Sequence, residues 1–231
     1  MLFRSKLTSG IELSGEISVK ESVVLIHGLW VSGWVMKLLG RNLRRCGFDT
    51  VIFSYPSMRD SLSQNALSLS QFISGLAATR IHLVGHSLGG LLALQVLSQY
   101  PESRIGRIIL MGSPYQASYA AIKLSSFAPG RWLIGSSMRQ WLMRREDALF
   151  FHHHEIGSIA GRMSVGIGKL LGGVPVPNDG MVTVEETRLP FARDWIVLNI
   201  NHTGMLFSSK VVRQVCAFLR QGHFLHPSES E

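Results

Sequence analysis

Short apolar runs alternate with amphipathic stretches along most of this chain. The runs occupy residues 23–26, 50–53, 81–84, 108–111, 156–160 and 195–200. They are apolar on both strand faces, as expected of strands whose two sides are covered by helices. This alternation predicts an α/β fold, in which strand–helix units build a mostly parallel sheet. Residues 11–19 instead alternate apolar with polar side chains, which predicts a half-exposed edge strand.

The stretches between the runs predict helices. One spans about residues 33–46 and carries Trp34, Leu38, Leu39 and Leu43 on one side, with Gly47 as its stop. The other helices are predicted from a cap at Asp60 to about residue 78, from Leu88 to Tyr100 and from Leu206 to Arg220, before a frayed tail at 227–231.

One segment, from residue 114 to about 154, interrupts this rhythm. It is too long for a bare loop in a compact domain, so it predicts a small helical cap inserted into a single domain spanning 1–231. One helical face collects six apolar residues, although Arg145 falls on that face too. The six are Ile134, Met138, Trp141, Leu142, Ala148 and Leu149.

Composition excludes several classes of protein. With 231 residues, 46% of them hydrophobic and 16% charged, the chain suits a globular domain rather than a disordered one. No apolar run reaches the ~20 residues of a membrane-spanning helix. The first residues do not resemble a signal peptide, so we expect a cytoplasmic location. Cys46 and Cys216 lie far apart in separate helical patterns, which favours free thiols in a reducing compartment.

The formal net charge is +8, but the basic residues are scattered, so we expect no nucleic-acid partner. Four arginines between 131 and 145 accompany Trp132, Trp141, Met138 and Met143. These cap residues favour either weak contact with a membrane surface or ordinary packing of the cap. The consecutive histidines 152–154 do not project to one point, so we expect no metal site and no cofactor. The pattern does not predict an oligomeric state.

The segment Gly85-His86-Ser87-Leu88-Gly89 carries the chemistry. An apolar strand precedes this G-x-S-x-G sequence and a helical pattern follows at once, as a nucleophile elbow requires. Gly85 and Gly89 remove side chains that would clash across the sharp turn. The hydroxyl of Ser87 is then held at a helix N-terminus, where developing negative charge is favoured.

A serine needs a base, and the base needs an orienting acid. His202 follows the last apolar run, at the sheet edge where Ser87 is expected, whereas His223 and His226 follow the final helix. Asp179 lies in a Pro/Gly-rich loop between Ser87 and His202, which is the order of such a triad. Glu185 and Glu186 are alternative acids, and Asp194 is disfavoured because it begins the last strand at the opposite edge. An Asp-Gly pair also commonly serves only to form a turn.

Two backbone N–H groups are expected to bind the oxyanion of the reaction. One belongs to Leu88, and the other to Leu29 in the loop after the first core strand. Gly28 lets that loop approach closely, and His27 is expected to brace it by hydrogen bonds rather than to act as a second base.

These segments together resemble the α/β-hydrolase superfamily, particularly its small lipases and esterases. The matching segments are 25–29, 84–90 and 178–182 with His202, and they extend over most of the chain. The resemblance implies a sheet with helices on both faces, reduced by a short region before Val23. It also implies a Ser87–Asp179–His202 triad that cleaves a carboxylic ester through an acyl-enzyme. A thioesterase or an acyltransferase using the same site remains open, and so does a non-catalytic binding protein on this scaffold.

Overall fold

A computed structural model of the chain describes residues 21–116, 118–126, 130, 132, 134–143, 153–166 and 174–226. Six parallel strands form one sheet in the order β2-β1-β3-β4-β5-β6. They are β1 (Glu21–Ile26), β2 (Asp49–Phe53), β3 (Arg80–His86), β4 (Ile105–Met111), β5 (Ile156–Gly161) and β6 (Asp194–Leu198). The predicted parallel sheet is confirmed, while the edge strand expected at 11–19 lies outside the described residues.

The helices are α1 (Lys37–Arg45), α2 (Leu62–Ser74), α3 (Leu88–Gln99), α4 (Tyr119–Ser125), α5 (Gly135–Leu142) and α6 (Ser209–Gln221). Within the described residues, three short 3-10 turns accompany these helices, at Gly33–Met36, Glu185–Thr187 and Thr203–Leu206.

Apolar side chains pack on both faces of the sheet, as the double-sided strands predict. Val24 and Ile26 of β1 join a cluster with α2 and α3. The alternate residues Val23 and Leu25 join a second cluster with α1 and α6. Because successive strand residues point to opposite faces, strands β1 to β5 contribute to both clusters, while β6 contributes Ile196 and Leu198 to the second. Buried strands of this kind explain why the apolar runs gave the strand positions so directly.

The predicted helix bounds need local corrections. Ser61, not Asp60, caps α2: its hydroxyl accepts from the backbone of Gln64, and the Gln64 side chain accepts from the Ser61 backbone. This reciprocal pairing begins the helix one residue later, and α2 ends at Ser74 rather than near 78. The last helix begins at Ser209, because residues 203–206 form a separate 3-10 turn.

The predicted side of the first helix is also wrong in part. Leu39 and Leu43 are buried, but 66% of Trp34 and 39% of Leu38 are exposed. A helix presents only one stripe to the sheet, and the Leu39–Leu43 stripe occupies that position. Trp34 and Leu38 therefore lie on the solvent side.

The expectation of free thiols is wrong. Cys46 and Cys216 form a disulfide, with their Cα atoms 6.6 Å apart. The cause is tertiary: Cys46 ends α1, Cys216 lies in α6, and these two helices pack on the same face of the sheet. A sequence separation of 170 residues gave no hint of this proximity. With both cysteines in a disulfide, free thiols no longer favour a reducing compartment.

Two helices, α4 and α5, are described within the segment predicted as a cap. Helix α5 is fixed to α2 by polar contacts: Asn65 Nδ2 donates to Ser137 Oγ at 2.9 Å, and Gln140 Nε2 donates to Ser63 Oγ at 2.7 Å. Met138 and Trp141 are buried, whereas Trp132 and Met143 are exposed. The predicted face members Arg145, Ala148 and Leu149 lie outside the described residues, as does the tail at 227–231.

No helix in the described part of the chain is both long and apolar enough to cross a membrane.

Candidate active site

Ser87 stands at a sharp turn between β3 and α3. Its backbone has φ 54°, a left-handed value that non-glycine residues adopt at a cost of about 1–3 kcal/mol. A Cβ on Gly85 would overlap the backbone of Gly89 and Gly90, and a Cβ on Gly89 would overlap the carbonyl of Ile26. The two glycines thus permit the strand and helix to pack closely around Ser87. The turn expected from the sequence is present in this geometry.

The loop after β1 approaches this turn from the neighbouring strand. A Cβ built on Gly28 would lie 3.1 Å from the Ser87 Cβ, so the backbone of Gly28 passes directly beside Ser87. Two residues further on, Trp30 has φ 62°. Of the described non-glycine residues, only Trp30 and Ser87 have positive φ. Backbone strain thus concentrates where Leu29 and Leu88 are predicted to bind an oxyanion.

Both ring nitrogens of His27 form hydrogen bonds to the backbone around this loop. Its Nε2 accepts from the backbone N–H of Tyr55 at 3.2 Å, which leaves the proton on Nδ1 to donate to the Gly28 carbonyl at 2.8 Å. The Tyr55 hydroxyl donates to the His27 carbonyl, and the two rings stack with centroids 4.4 Å apart. Burial lowers the pKa of His27, which keeps its ring neutral. Both ring nitrogens are occupied by the backbone.

His202 and Asp179 meet at the carboxyl edge of the sheet. His202 Nδ1 donates to Asp179 Oδ2 at 2.7 Å, and the His202 backbone N–H donates to the Asp179 carbonyl at 2.8 Å. The other carboxylate oxygen accepts from the backbone N–H groups of Met181 and Val182 at 3.0 and 2.8 Å. Asp179 is only 1% exposed. The carboxylate is therefore fully hydrogen-bonded and holds the imidazole in one tautomer.

The alternative acids lie elsewhere in the described structure. Glu185 is exposed. Glu186 is buried and accepts from the backbone N–H of Thr183 at 2.6 Å and from that of Tyr119, so it ties α4 to the loop of Asp179. Burial raises the pKa of Glu186. Asp194 begins β6 at the opposite edge and contacts His226.

A cavity of about 290 Å³ joins these groups. Ser87, His202, Gly28 and Leu29 line it. The rest of its wall is mainly apolar and includes Ala121, Leu124, Ile134, Met138 and Leu206. Among its described lining residues there is no Lys, Arg, Asp or Glu. This volume is near the lower end of the range for small-molecule sites.

Two residues of this site were not singled out by the sequence. His86 is buried, and its Nε2 donates to the His202 carbonyl at 3.0 Å. Burial, aided by the nearby His202, lowers the pKa of His86 to about 3, so its ring is neutral. A Cβ on Gly112 would lie 3.1 Å from both Asp179 Oδ2 and His202 Nδ1. Its position directly after β4 was the available signal, since that loop ends at the same sheet edge.

The histidine run at 152–154 is described only from His153 onward. Among the described residues, no group of three or more His, Cys, Asp or Glu side chains is arranged as a metal site.

Comparison with known proteins extends this geometry. A sequence model of the alpha/beta hydrolase family matches residues 23–199. The mature lipase BlEst2 of Bacillus licheniformis superposes with a TM-score of 0.67 at 20% identity, covering 89% of this chain and 93% of the lipase. The carboxylesterase CesB of Bacillus subtilis superposes with a TM-score of 0.55 at 15% identity, covering 87% of this chain and 84% of that protein. At these identities the likeness concerns the fold.

A curated relative matches over a shorter region. The 2-hydroxy-6-oxononadienedioate/2-hydroxy-6-oxononatrienedioate hydrolase 1 of Pseudomonas putida is 33% identical over 107 residues, which is 40% of this chain and 36% of that enzyme. The aligned part thus spans little more than a third of the relative. The family model spans well over half of the chain, so this chain belongs to the alpha/beta hydrolase family.

Proposed function

We propose that this protein is a serine hydrolase that cleaves a carboxylic ester through Ser87, His202 and Asp179. The observation that carries the proposal is the 2.7 Å contact between His202 Nδ1 and Asp179 Oδ2, beside a cavity lined by both His202 and Ser87. Because Asp179 fixes the proton on Nδ1, Nε2 is left as the basic nitrogen. That arrangement supplies what a serine nucleophile requires.

The reaction proceeds by acyl transfer. Ser87 Oγ attacks the ester carbonyl carbon while His202 Nε2 takes the hydroxyl proton. The backbone N–H groups of Leu29 and Leu88 donate to the oxyanion, and the strained loop and the helix N-terminus orient them. His202 then protonates the departing alkoxide, and an acyl-enzyme remains. Water, deprotonated by His202, attacks this ester, and His202 returns the proton to Ser87 Oγ as the acid leaves, while Asp179 stabilises the imidazolium in both steps.

The cavity supports a neutral, apolar acyl group. The substrates named for the Pseudomonas putida relative are dicarboxylates. A dicarboxylate in this cavity would leave charge without a cationic partner among the described lining residues, which is costly in an apolar site. An ester with a short or medium acyl chain avoids that cost and suits a volume of about 290 Å³. A thioester or an alcohol acceptor would suit the same groups.

The test is a substrate panel on the purified protein. It compares p-nitrophenyl esters of increasing acyl length with acyl-thioesters and with a 2-hydroxy-6-oxo-dienedioate. We expect the highest kcat/KM for a neutral apolar ester, and loss of that activity in Ser87→Ala. Preference for the dienedioate would contradict the proposal. Turnover that survives Ser87→Ala would exclude the proposed nucleophile, and product analysis with a competing alcohol separates hydrolysis from acyl transfer.

A further inference from the structure

The solvent side of residues 30–41 exposes several large apolar side chains. The exposed fractions are 41% for Trp30, 37% for Val31, 66% for Trp34 and 39% for Leu38. Single exposed apolar residues are ordinary, but neighbouring ones that include two tryptophans mark an interaction surface. In the helical stretch, Trp34, Lys37, Leu38 and Arg41 follow the spacing of one helical face, and all four are exposed. We call the six residues Trp30, Val31, Trp34, Lys37, Leu38 and Arg41 the tryptophan face.

The tryptophan face is continuous with the catalytic cavity. Trp30 and Val31 line that cavity together with Ser87 and His202. The same two residues line a shallow outer groove with Trp34 and Arg59. A molecule bound across the groove would therefore reach the mouth of the cavity through the side chains that form its rim.

The stretch of sequence that carries the tryptophan face contains cationic side chains and no acidic ones. Residues 30–48 contain Lys37, Arg41, Arg44 and Arg45 and no Asp or Glu. Arg59 adds a further exposed cation at the groove. A second copy of the chain docked face to face would bring these cations against each other, which disfavours a symmetric dimer here. An anionic surface would complement them.

We propose that the tryptophan face docks on an anionic lipid layer, so that the mouth of the catalytic cavity faces the lipid. Tryptophan and leucine side chains insert at the boundary of headgroups and acyl chains, while lysine and arginine contact the anionic headgroups. Lipid docking itself does not depend on the proposed esterase activity. It adds to that proposal by identifying the substrate class as acyl esters held in, or partitioned into, an anionic lipid layer.

Vesicle co-sedimentation tests the docking without catalysis. The protein is the Ser87→Ala variant, so no lipid is consumed. The probes are phosphatidylcholine vesicles with and without about 30% phosphatidylglycerol. We expect binding to the anionic vesicles at low salt, at least tenfold weaker binding to pure phosphatidylcholine, and loss of binding as the salt concentration rises.

Paired substitutions then localise the contact. On the Ser87→Ala background, Lys37→Gln/Arg41→Gln and Trp34→Ala/Leu38→Ala should each weaken binding about tenfold or more. The matched control is Arg80→Gln/Arg220→Gln, which removes the same charge from two exposed residues outside the tryptophan face, at the start of β3 and in the last turn of α6. Leu67→Ala on α2, where Leu67 is 44% exposed, is the apolar control. Both controls should bind like the parent, and thermal unfolding of every variant checks its folding.

Absence of binding to anionic vesicles overturns the proposal. Equal loss in the control variants also overturns it, because general charge rather than this face would then carry binding. If light scattering gives a dimer that Trp34→Ala converts to a monomer, without vesicle binding, the face is a self-interface instead. Failure of the esterase proposal would leave these outcomes unchanged, since the assay measures Ser87→Ala alone.

Discussion

Two aspartate–histidine contacts lie at opposite edges of the same sheet. His202 Nδ1 and Asp179 Oδ2 are 2.7 Å apart at the carboxyl edge, and His226 Nε2 and Asp194 Oδ1 are 2.8 Å apart at the other. Each carboxylate also accepts two backbone N–H groups. The two pairs therefore share a contact distance and a number of backbone donors, although the first uses Nδ1 of its histidine and the second uses Nε2.

Their surroundings differ. The Asp179 and His202 side chains are 1% and 13% exposed, whereas those of Asp194 and His226 are 16% and 50% exposed. Of the two histidines, only His202 lines a cavity together with Ser87. A hydrogen-bonded Asp–His pair therefore does not by itself mark a catalytic site. A nearby nucleophile and the exclusion of water give it chemical meaning.

The largest expected difference between the two pairs concerns the histidines. His202→Ala should lower kcat by about 10⁶-fold on the best ester, because removing the base disables the whole triad. His226→Ala should leave kcat within about twofold, which is near the error of such assays. Steady-state kinetics on the two purified variants make the measurement. A comparable loss of kcat in both variants would contradict the assignment of His202 as the catalytic base.

The aspartates should differ by a smaller factor. Asp179→Asn should lower kcat by about 10⁴-fold, because the amide no longer fixes the proton on His202 Nδ1. Asp194→Asn removes an acceptor for the backbone N–H of Phe224 and is expected to affect the free energy of unfolding rather than kcat. Parallel kinetics and urea unfolding distinguish the two effects. Normal kcat in Asp179→Asn would assign the acid to another residue.

His86, which lies beside His202 at the carboxyl edge, should make the stability of the protein depend on pH. Burial holds its folded-state pKa at about 3, below its ordinary 6.5, so the folded protein favours the neutral ring. Its contribution is present above pH 6.5 and is lost as the pH falls toward 3, by up to about 5 kcal/mol. In His86→Gln, the free energy of unfolding, measured with urea at a series of pH values, should fall less steeply between pH 6.5 and about 3. An unchanged pH profile would mean that the pKa of His86 is the same in the folded and the unfolded protein.

The disulfide is expected to affect the free energy of unfolding rather than catalysis. Cys46→Ala/Cys216→Ala should lower the free energy of unfolding by about 3 kcal/mol and leave kcat within twofold. The reason is that the crosslink restricts the unfolded chain while it joins α1 to α6 away from Ser87. Urea unfolding and ester kinetics provide both values. If two thiols of the native chain react with maleimide before any reductant is added, the disulfide itself is refuted.

Strands and the turn at Ser87 were predictable because they depend on local patterns. Buried parallel strands are continuous apolar runs, and the turn needs small residues at fixed positions. Asp179 and His202 could be proposed because parallel strands end at one edge. Contacts between distant segments gave no comparable signal: the pairing of Cys46 with Cys216 required knowing that α1 and α6 are neighbours.

The sequence also could not predict which side of the first helix faces the sheet. Trp34 and Leu38 are apolar and helically spaced with Leu39 and Leu43, so periodicity assigned all four to one side. Only the packing of the helix against the sheet decides which stripe is buried. Similarly, the positions of His86 and Gly112 beside His202 depend on how three strands align.

The most direct test of the account is covalent labelling with a fluorophosphonate, which reacts with an activated serine. Mass spectrometry of the digested protein should find the label on Ser87, and labelling should disappear in Ser87→Ala and in His202→Ala but persist in His226→Ala. Labelling that persists in Ser87→Ala, or an active esterase whose Ser87 stays unlabelled, would contradict the central claim that Ser87 is the nucleophile.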